Sequence, residues 1–202
     1  MRILPFMSAN SHLSRLRQSL NAASTVGALA TGLESSGFGL ALLCFCLPFL
    51  QPVPTPGLST PVGLLLLLLG LQVGGGSSSL RLPRFVADAP VSPRVAEAIA
   101  GAAIPFFRFT ERWTRPRWPW LSQRRPAIGA TIACMALVLM LPIPLPFSNS
   151  LSAGPIALFA LGLLEDDGIF IGAAFAASAL GLLYHLAIFR LGVGAAQRIW
   201  IG

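Results

Sequence analysis

Lysine is absent from this chain of 202 residues, which carries only seven carboxylates, two histidines, three cysteines and one tyrosine. Charged residues make up 10% of the sequence and hydrophobic ones 54%. A soluble domain has about a quarter of its residues charged, so water is not the main solvent here. The scarcity of side chains that carry chemistry excludes most catalytic designs. No Ser/His/Asp set and no metal-ligand spacing occurs, and Gly74-Gly75-Gly76 lacks the lysine and helix of a phosphate loop. An enzyme is not expected, nor a cofactor or a bound metal. Cys44 and Cys46 share one apolar block and Cys134 lies in another. Such surroundings disfavour the thiolate that redox or metal chemistry requires. His12 has no evident partner, and His185 beside Tyr184 in the last apolar run suits a helix-packing hydrogen bond.

What is present comes in blocks. Gly37 to Leu50 is apolar, is interrupted by Pro48, Pro52, Pro54 and Pro56, and resumes from Gly57 to Val73. A second region runs from Ala127 to Phe147 with Pro142, Pro144 and Pro146 near its end, then from Ser152 to Leu164. Glu165-Asp166-Asp167 precedes a last run, Ile169 to Phe189, of 21 residues. As a helix that run is about 31 Å long, enough to cross a hydrocarbon core of about 30 Å, whereas the earlier pieces are shorter. A hairpin bent inside the membrane and a pair of short spans that thin it both fit those lengths.

Shifted against itself by 94 residues, the sequence aligns Leu47-Pro48 with Leu141-Pro142, Pro52 with Pro146 and Pro61 with Pro155. Matched prolines constrain the backbone in a way that matched leucines do not. The expected fold is therefore an all-α membrane protein of four to five membrane segments, built from two proline-broken helical-hairpin repeats around a surface, amphipathic helical central segment. Thr60-Pro61 and Gly154-Pro155 are each expected to start a helix. The organisation predicted is a flexible tail over 1–24, repeat one over about 37–73, an Arg-rich segment over about 74–126, repeat two over about 127–167 and a final span over about 169–189. Gly74 to Ser79 reads as a flexible linker, and short surface helices are expected after Thr25 and after Ser92.

All 14 basic residues are arginine, and nine of them lie between the two apolar regions. Placed there they suit anionic headgroups and the positive-inside rule, and no soluble fold for nucleic acid accompanies them. Arg115, Arg117, Trp118, Trp120, Arg124 and Arg125 mix guanidinium groups with indoles, a composition for the membrane interface. Arginines on both sides of the first block put the tail and the central segment in the cytoplasm; Arg190 and Arg198 leave the C-terminal orientation open. The apolar run before Ser8 is too short for a signal-peptide core.

A candidate ion or substrate site combines the acidic triplet Glu165, Asp166 and Asp167 with break residues Pro56, Gly57, Ser59, Thr60, Ser152 and Gly154. Broken helices can turn backbone groups toward a polar cavity, and ionisable groups at membrane depth mark function. A hydrated turn for the triplet and surface turns for the prolines are the structural alternatives. Gly and Ala in the last run, from Gly172 to Gly181, would allow close helix contact and a homo-oligomer.

The stretches TVGALATGLESSGFGLALLCFCLPFL, PVPTPGLST, LPRF, TRPRWPWL, LPIPLPFSNSLSAGPIAL and LGLLEDDG together resemble the ExoD family over residues 25 to about 190. The resemblance implies a multi-pass bacterial inner-membrane protein tied to exopolysaccharide synthesis or export and, in some members, to growth at alkaline pH. It does not imply a mechanism. Three activities fit: transport of a small ion or anionic substrate, a non-transporting accessory role beside polysaccharide-assembly proteins or polyprenyl-phosphate carriers, and proton or cation transport with an indirect polysaccharide effect. Gly74 to Ser79 departs from the family pattern, where that stretch is commonly basic.

Overall fold

The computed structural model describes residues 18, 25, 37–50, 57–77, 81–90, 115–141 and 147–201. Pro52, Pro54, Pro56, Pro142, Pro144, Pro146 and the surface helices expected after Thr25 and Ser92 lie outside them. Among the described residues the chain is helical, with isolated bridges between Thr25 and Pro90 and between Arg117 and Asp167. We number the helices α1 (Gly37–Cys46, continued by a 3-10 turn Leu47–Phe49), α2 (Ser59–Gly74), α3 (Arg84–Ala87), α4 (Pro119–Ser122), α5 (Arg125–Met140), α6 (Ser148–Leu164) and α7 (Gly168–Ile201).

Helix α1 is apolar on every side and is buried on every side from Leu40 to Cys46. A helix of that kind belongs inside a bundle. It lies against α2 and α6, while α2 packs along α5 and α6 along α7. Small residues set these approaches. A Cβ placed on Gly70 would stand 2.9 Å from the Ala133 nitrogen and 3.1 Å from the Gly129 carbonyl oxygen. One placed on Gly129 would overlap the backbone of Gly70 and Gly74. Gly63 faces Ala136 and Met140 in turn, so α2 and α5 run antiparallel. Where the surrounding solvent is as apolar as leucine, such close backbone contact is a main source of helix association.

The same register recurs across the other pair. Gly39 of α1 faces Ala160 and Leu164 of α6, again antiparallel. In the 94-residue alignment Gly39 corresponds to Ala133 and Leu164 to Gly70, so the two contacts match with their members exchanged between halves. Each helix of one half packs on the non-equivalent helix of the other.

Two sequence expectations are corrected. Gly154-Pro155 does not start a helix; α6 begins seven residues before Pro155, at Ser148. Glycine before a proline has no Cβ to collide with the ring, which allows the helix to continue. The Leu151 carbonyl that Pro155 cannot serve faces Gly181 of α7, where a Cβ would stand 3.1 Å from the oxygen. The Gly181 Cα–H therefore points at the freed carbonyl, a weak but apt partner. Gly74 to Ser77 is not a loose linker either. Gly76 adopts φ 68°, Gly76 N donates to Val73 O and Ser77 N donates to Gln72 O at 3.0 Å, which caps α2 in a Schellman motif.

Three hydroxyls on the apolar helices bond within their own helix. Thr131, Ser152 and Ser178 each donate to the carbonyl four residues back. Phe159 and Phe175 meet edge to face at 4.9 Å between α6 and α7. One described stretch, Gly168–Arg190, is long and apolar enough to cross a membrane; α1, α2, α5 and α6 are shorter apolar helices.

Glycine-to-alanine exchange should separate contact from propensity. Gly129→Ala overpacks the α2–α5 seam and should lower stability by about 1–3 kcal/mol. Gly172→Ala, whose Cβ would meet only Leu121 at 3.8 Å, should be neutral or slightly stabilising. Thermal unfolding in detergent reads both.

Candidate functional site

Backbone and helix ends bring the described arginines from Arg81 to Arg125 to one end of the bundle. The C-terminus of α2 and the N-terminus of α5 meet there through Gly74 and Gly129. The turn from α6 into α7 lies at that end too, and α4 packs on α7 beside it. At the opposite end lie both interruptions, between α1 and α2 and between α5 and α6. Thr60 Oγ1 donates to Met140 O there across a long 3.5 Å.

The acidic triplet sits in the α6–α7 turn, and its three members differ sharply. Glu165 is half-buried and caps the end of α6 through its N–H, which donates to Leu161 O at 3.0 Å. Asp166 is exposed and holds the left-handed conformation, φ 51°. Asp167 has no exposed surface. Its Oδ1 accepts from Ile169 N at 3.0 Å, an N-cap bond that serves the first turn of α7. Its Oδ2 accepts from Arg115 N at 3.0 Å, 52 residues away in sequence. Beside it Gly168 N donates to Arg117 O at 2.6 Å. Gly168 has to be glycine for this approach, because a Cβ would stand 2.6 Å from Trp118 O. A carboxylate at a helix N-terminus also meets the favourable end of the helix dipole. Asp167 thus joins the far end of the central segment to the start of α7.

The near end of that segment has its own clamp, which sequence reasoning missed. Gln72 Oε1 accepts from Arg81 N at 2.7 Å, and Gln72 Nε2 donates to Arg81 O at 2.7 Å and to Leu68 O at 3.1 Å. The side-chain amide pairs with Arg81 as a neighbouring strand would. Its signal was available: Gln72 is the one polar side chain in the run from Val62 to Val73.

From the second clamp onward the predicted interface residues Arg115, Arg117, Trp118, Trp120, Arg124 and Arg125 are all exposed and form a rim on this end. Trp118 is 59% exposed and takes the left-handed conformation at φ 50°, uncommon for a side chain of its size. Arg124 and Arg125 stand at the N-terminus of α5. Cations there oppose the helix dipole, so the pair does not serve α5 itself.

The remaining predicted residues are elsewhere. Gly57, in a turn at φ 82°, and Thr60 are exposed at the opposite end. Ser59 is half-buried there, Ser152 is buried and donates to Ser148 O, and Gly154 has open space around it. Pro56 lies outside the described residues. Glu165, the C-cap of α6, stands thirteen positions beyond Ser152, about 20 Å along the axis. The acidic triplet and the break residues therefore form two places. His185 Nδ1 lies 2.7 Å from Gly181 O on its own helix, with Tyr184 edge-on beside it.

Comparison with known proteins finds relatives of this sequence. The family described as exopolysaccharide synthesis, ExoD, matches residues 9–187. An uncharacterized protein of Synechocystis sp. is 36% identical over 146 residues, 71% of this chain and 68% of the relative. The protein ExoD of Rhizobium meliloti is 29% identical over 157 residues, 75% of this chain and 64% of its own length. The chain thus spans about two thirds of either relative. No solved structure matches it.

Removing the buried carboxylate should release the rim. Asp167→Ala leaves two backbone donors without an acceptor, a loss of about 1–3 kcal/mol. It should expose the Arg117–Trp118 bond to trypsin, read as a new fragment in limited proteolysis. Asp166→Asn, on an exposed side chain, should leave the digestion pattern unchanged.

Proposed function

The chain belongs to the ExoD family of exopolysaccharide synthesis, and on that premise we propose that it is a multi-pass bacterial inner-membrane protein whose Arg–Trp rim holds anionic headgroups. Polyprenyl-phosphate carriers of sugar units are the headgroups that suit this work. The observation that carries the reading is the exposure of Arg115, Arg117, Trp118, Trp120, Arg124 and Arg125 on one end of the bundle, fixed there by Asp167. Guanidinium groups grip phosphate oxygens through paired N–H bonds, and indole rings seat at the headgroup level.

Membrane insertion is supported by α7. Leu180, Leu183, Leu186 and Phe189 are 58–69% exposed, which suits acyl chains and not water. The stretch from the acidic turn to Arg190 spans about 33 Å, close to a hydrocarbon thickness. The arginine end is cytoplasmic on the positive-inside rule. The exchanged contacts of α1 with α6 and α2 with α5 support an internal duplication, in which equivalent halves interlock. In this reading the protein is an accessory of a polysaccharide-assembly complex and performs no bond chemistry.

Ion transport is the second reading, favoured by one observation. The Leu151 carbonyl freed by Pro155 lies within the apolar bundle, and freed carbonyls of broken helices are cation ligands in transporters. A proton or cation carrier of this kind would support growth at alkaline pH and affect polysaccharide indirectly.

Complementation separates them. In a strain lacking its own ExoD, the wild-type chain should restore exopolysaccharide, whereas a variant with Arg115, Arg117, Arg124 and Arg125 changed to Gln should fail at normal membrane abundance. Full restoration by that variant, with a proton or monovalent-cation flux in proteoliposomes, would replace the rim reading with transport.

A further inference from the structure

Backbone strain in this chain gathers at the rim. Among the described residues three positions other than glycine have positive φ, and two of them, Trp118 at 50° and Asp166 at 51°, flank the bridge between Arg117 and Asp167. Trp118 follows one partner of that bridge and Asp166 precedes the other. A left-handed backbone at a bulky residue is costly, and a folded chain keeps it where the side chain so placed is needed.

The result is a rigid mount for two indoles. Gly168 N donates to Arg117 O, Leu121 N donates to Trp118 O at 2.9 Å and Ser122 Oγ donates to Pro119 O at 2.8 Å. A Cβ on Gly168 would stand 2.8 Å from the Cβ of Trp118, so the tryptophan is braced at its root as well. Pro119 restricts the backbone between the two rings. Trp118 and Trp120 nevertheless stay exposed. Partition into the headgroup layer asks only that an indole be present there, and needs no such mount.

The exposed carboxylate of Asp166 is a second sign. To a phosphate it is a repulsive neighbour, whereas a sugar hydroxyl is a donor that such an acceptor satisfies. A pyranose ring also presents on one face a patch of C–H groups with positive partial charge, which stacks on the negative face of an aromatic ring. We infer that Trp118, Trp120 and Asp166 form a site for a pyranose ring, borne on a lipid carrier. The indoles stack on the ring, the carboxylate takes its hydroxyls, and Arg124 and Arg125 hold the phosphate that joins sugar to lipid. This inference rests on the binding of carrier headgroups proposed above, and it makes the rim a reader of loaded carriers over bare ones.

Binding to the full chain in nanodiscs of zwitterionic lipid tests this. The probes are a polyprenyl diphosphate bearing one glucose or one galactose, the same carrier without sugar, and the soluble methyl hexosides. A loaded carrier should bind about tenfold tighter than the bare one. Trp118→Gly should bring that ratio close to one while holding or raising Tm, because glycine adopts φ 50° without strain. Trp120→Leu and Asp166→Gly should each narrow the ratio. Equal binding of loaded and bare carriers by the wild type, or a ratio unchanged in Trp118→Gly, would overturn the inference and leave the headgroup reading standing. Binding of neither carrier would remove both. Displacement of the loaded carrier by an equal concentration of methyl hexoside would assign the site to free glycan and overturn its carrier role.

Discussion

A carboxylate sealed from solvent must be answered by hydrogen-bond donors, and the answer given to Asp167 organises one whole end of this protein. Its two oxygens take Ile169 N and Arg115 N, each at 3.0 Å. One bond starts the longest helix and the other fixes the segment that carries the rim. A buried anion held in this way is demanding, because no water can replace a missing donor. The left-handed Trp118, the glycine at 168 and the cationic N-terminus of α5 are local costs that this junction holds in place.

Packing along the bundle follows a second rule. The helices approach through glycine and alanine, and the α1–α6 and α2–α5 seams match with their members exchanged in the 94-residue alignment. Gly39 makes room for Leu164 in one seam, and Gly70 makes room for Ala133 in the other. The small member comes from α1 in the first and from α2 in the second. Each seam thus joins a helix from residues 37–74 to one from residues 125–164.

The helical character and the apolar blocks were legible in the sequence because long uninterrupted hydrophobic runs admit few other structures. The rim was legible as well, since arginine and tryptophan alternate only in one place. Pro155 misled because the partner of its freed carbonyl, Gly181, is remote in sequence and gives no local sign. The acidic triplet was visible as a cluster, but its three members look alike on paper. Only the contact with Arg115 separates the buried Asp167 from the exposed Asp166. Gln72 stood out by polarity, yet its role depends on a backbone pairing that no spacing rule supplies. The Gly74 to Ser77 stretch has the composition of a linker and the geometry of a cap, a distinction carried by one positive φ.

The two clamps on the central segment differ in one respect that matters while the chain is being made. Gln72 reaches a residue nine positions ahead, whereas Asp167 reaches back 52. As synthesis proceeds, the first clamp can close almost as soon as α2 has left the ribosome. The second must wait until α5 and α6 have both been produced. Throughout that interval only the Arg81 bond to Gln72 can form, and the bond from Arg115 to Asp167 comes last.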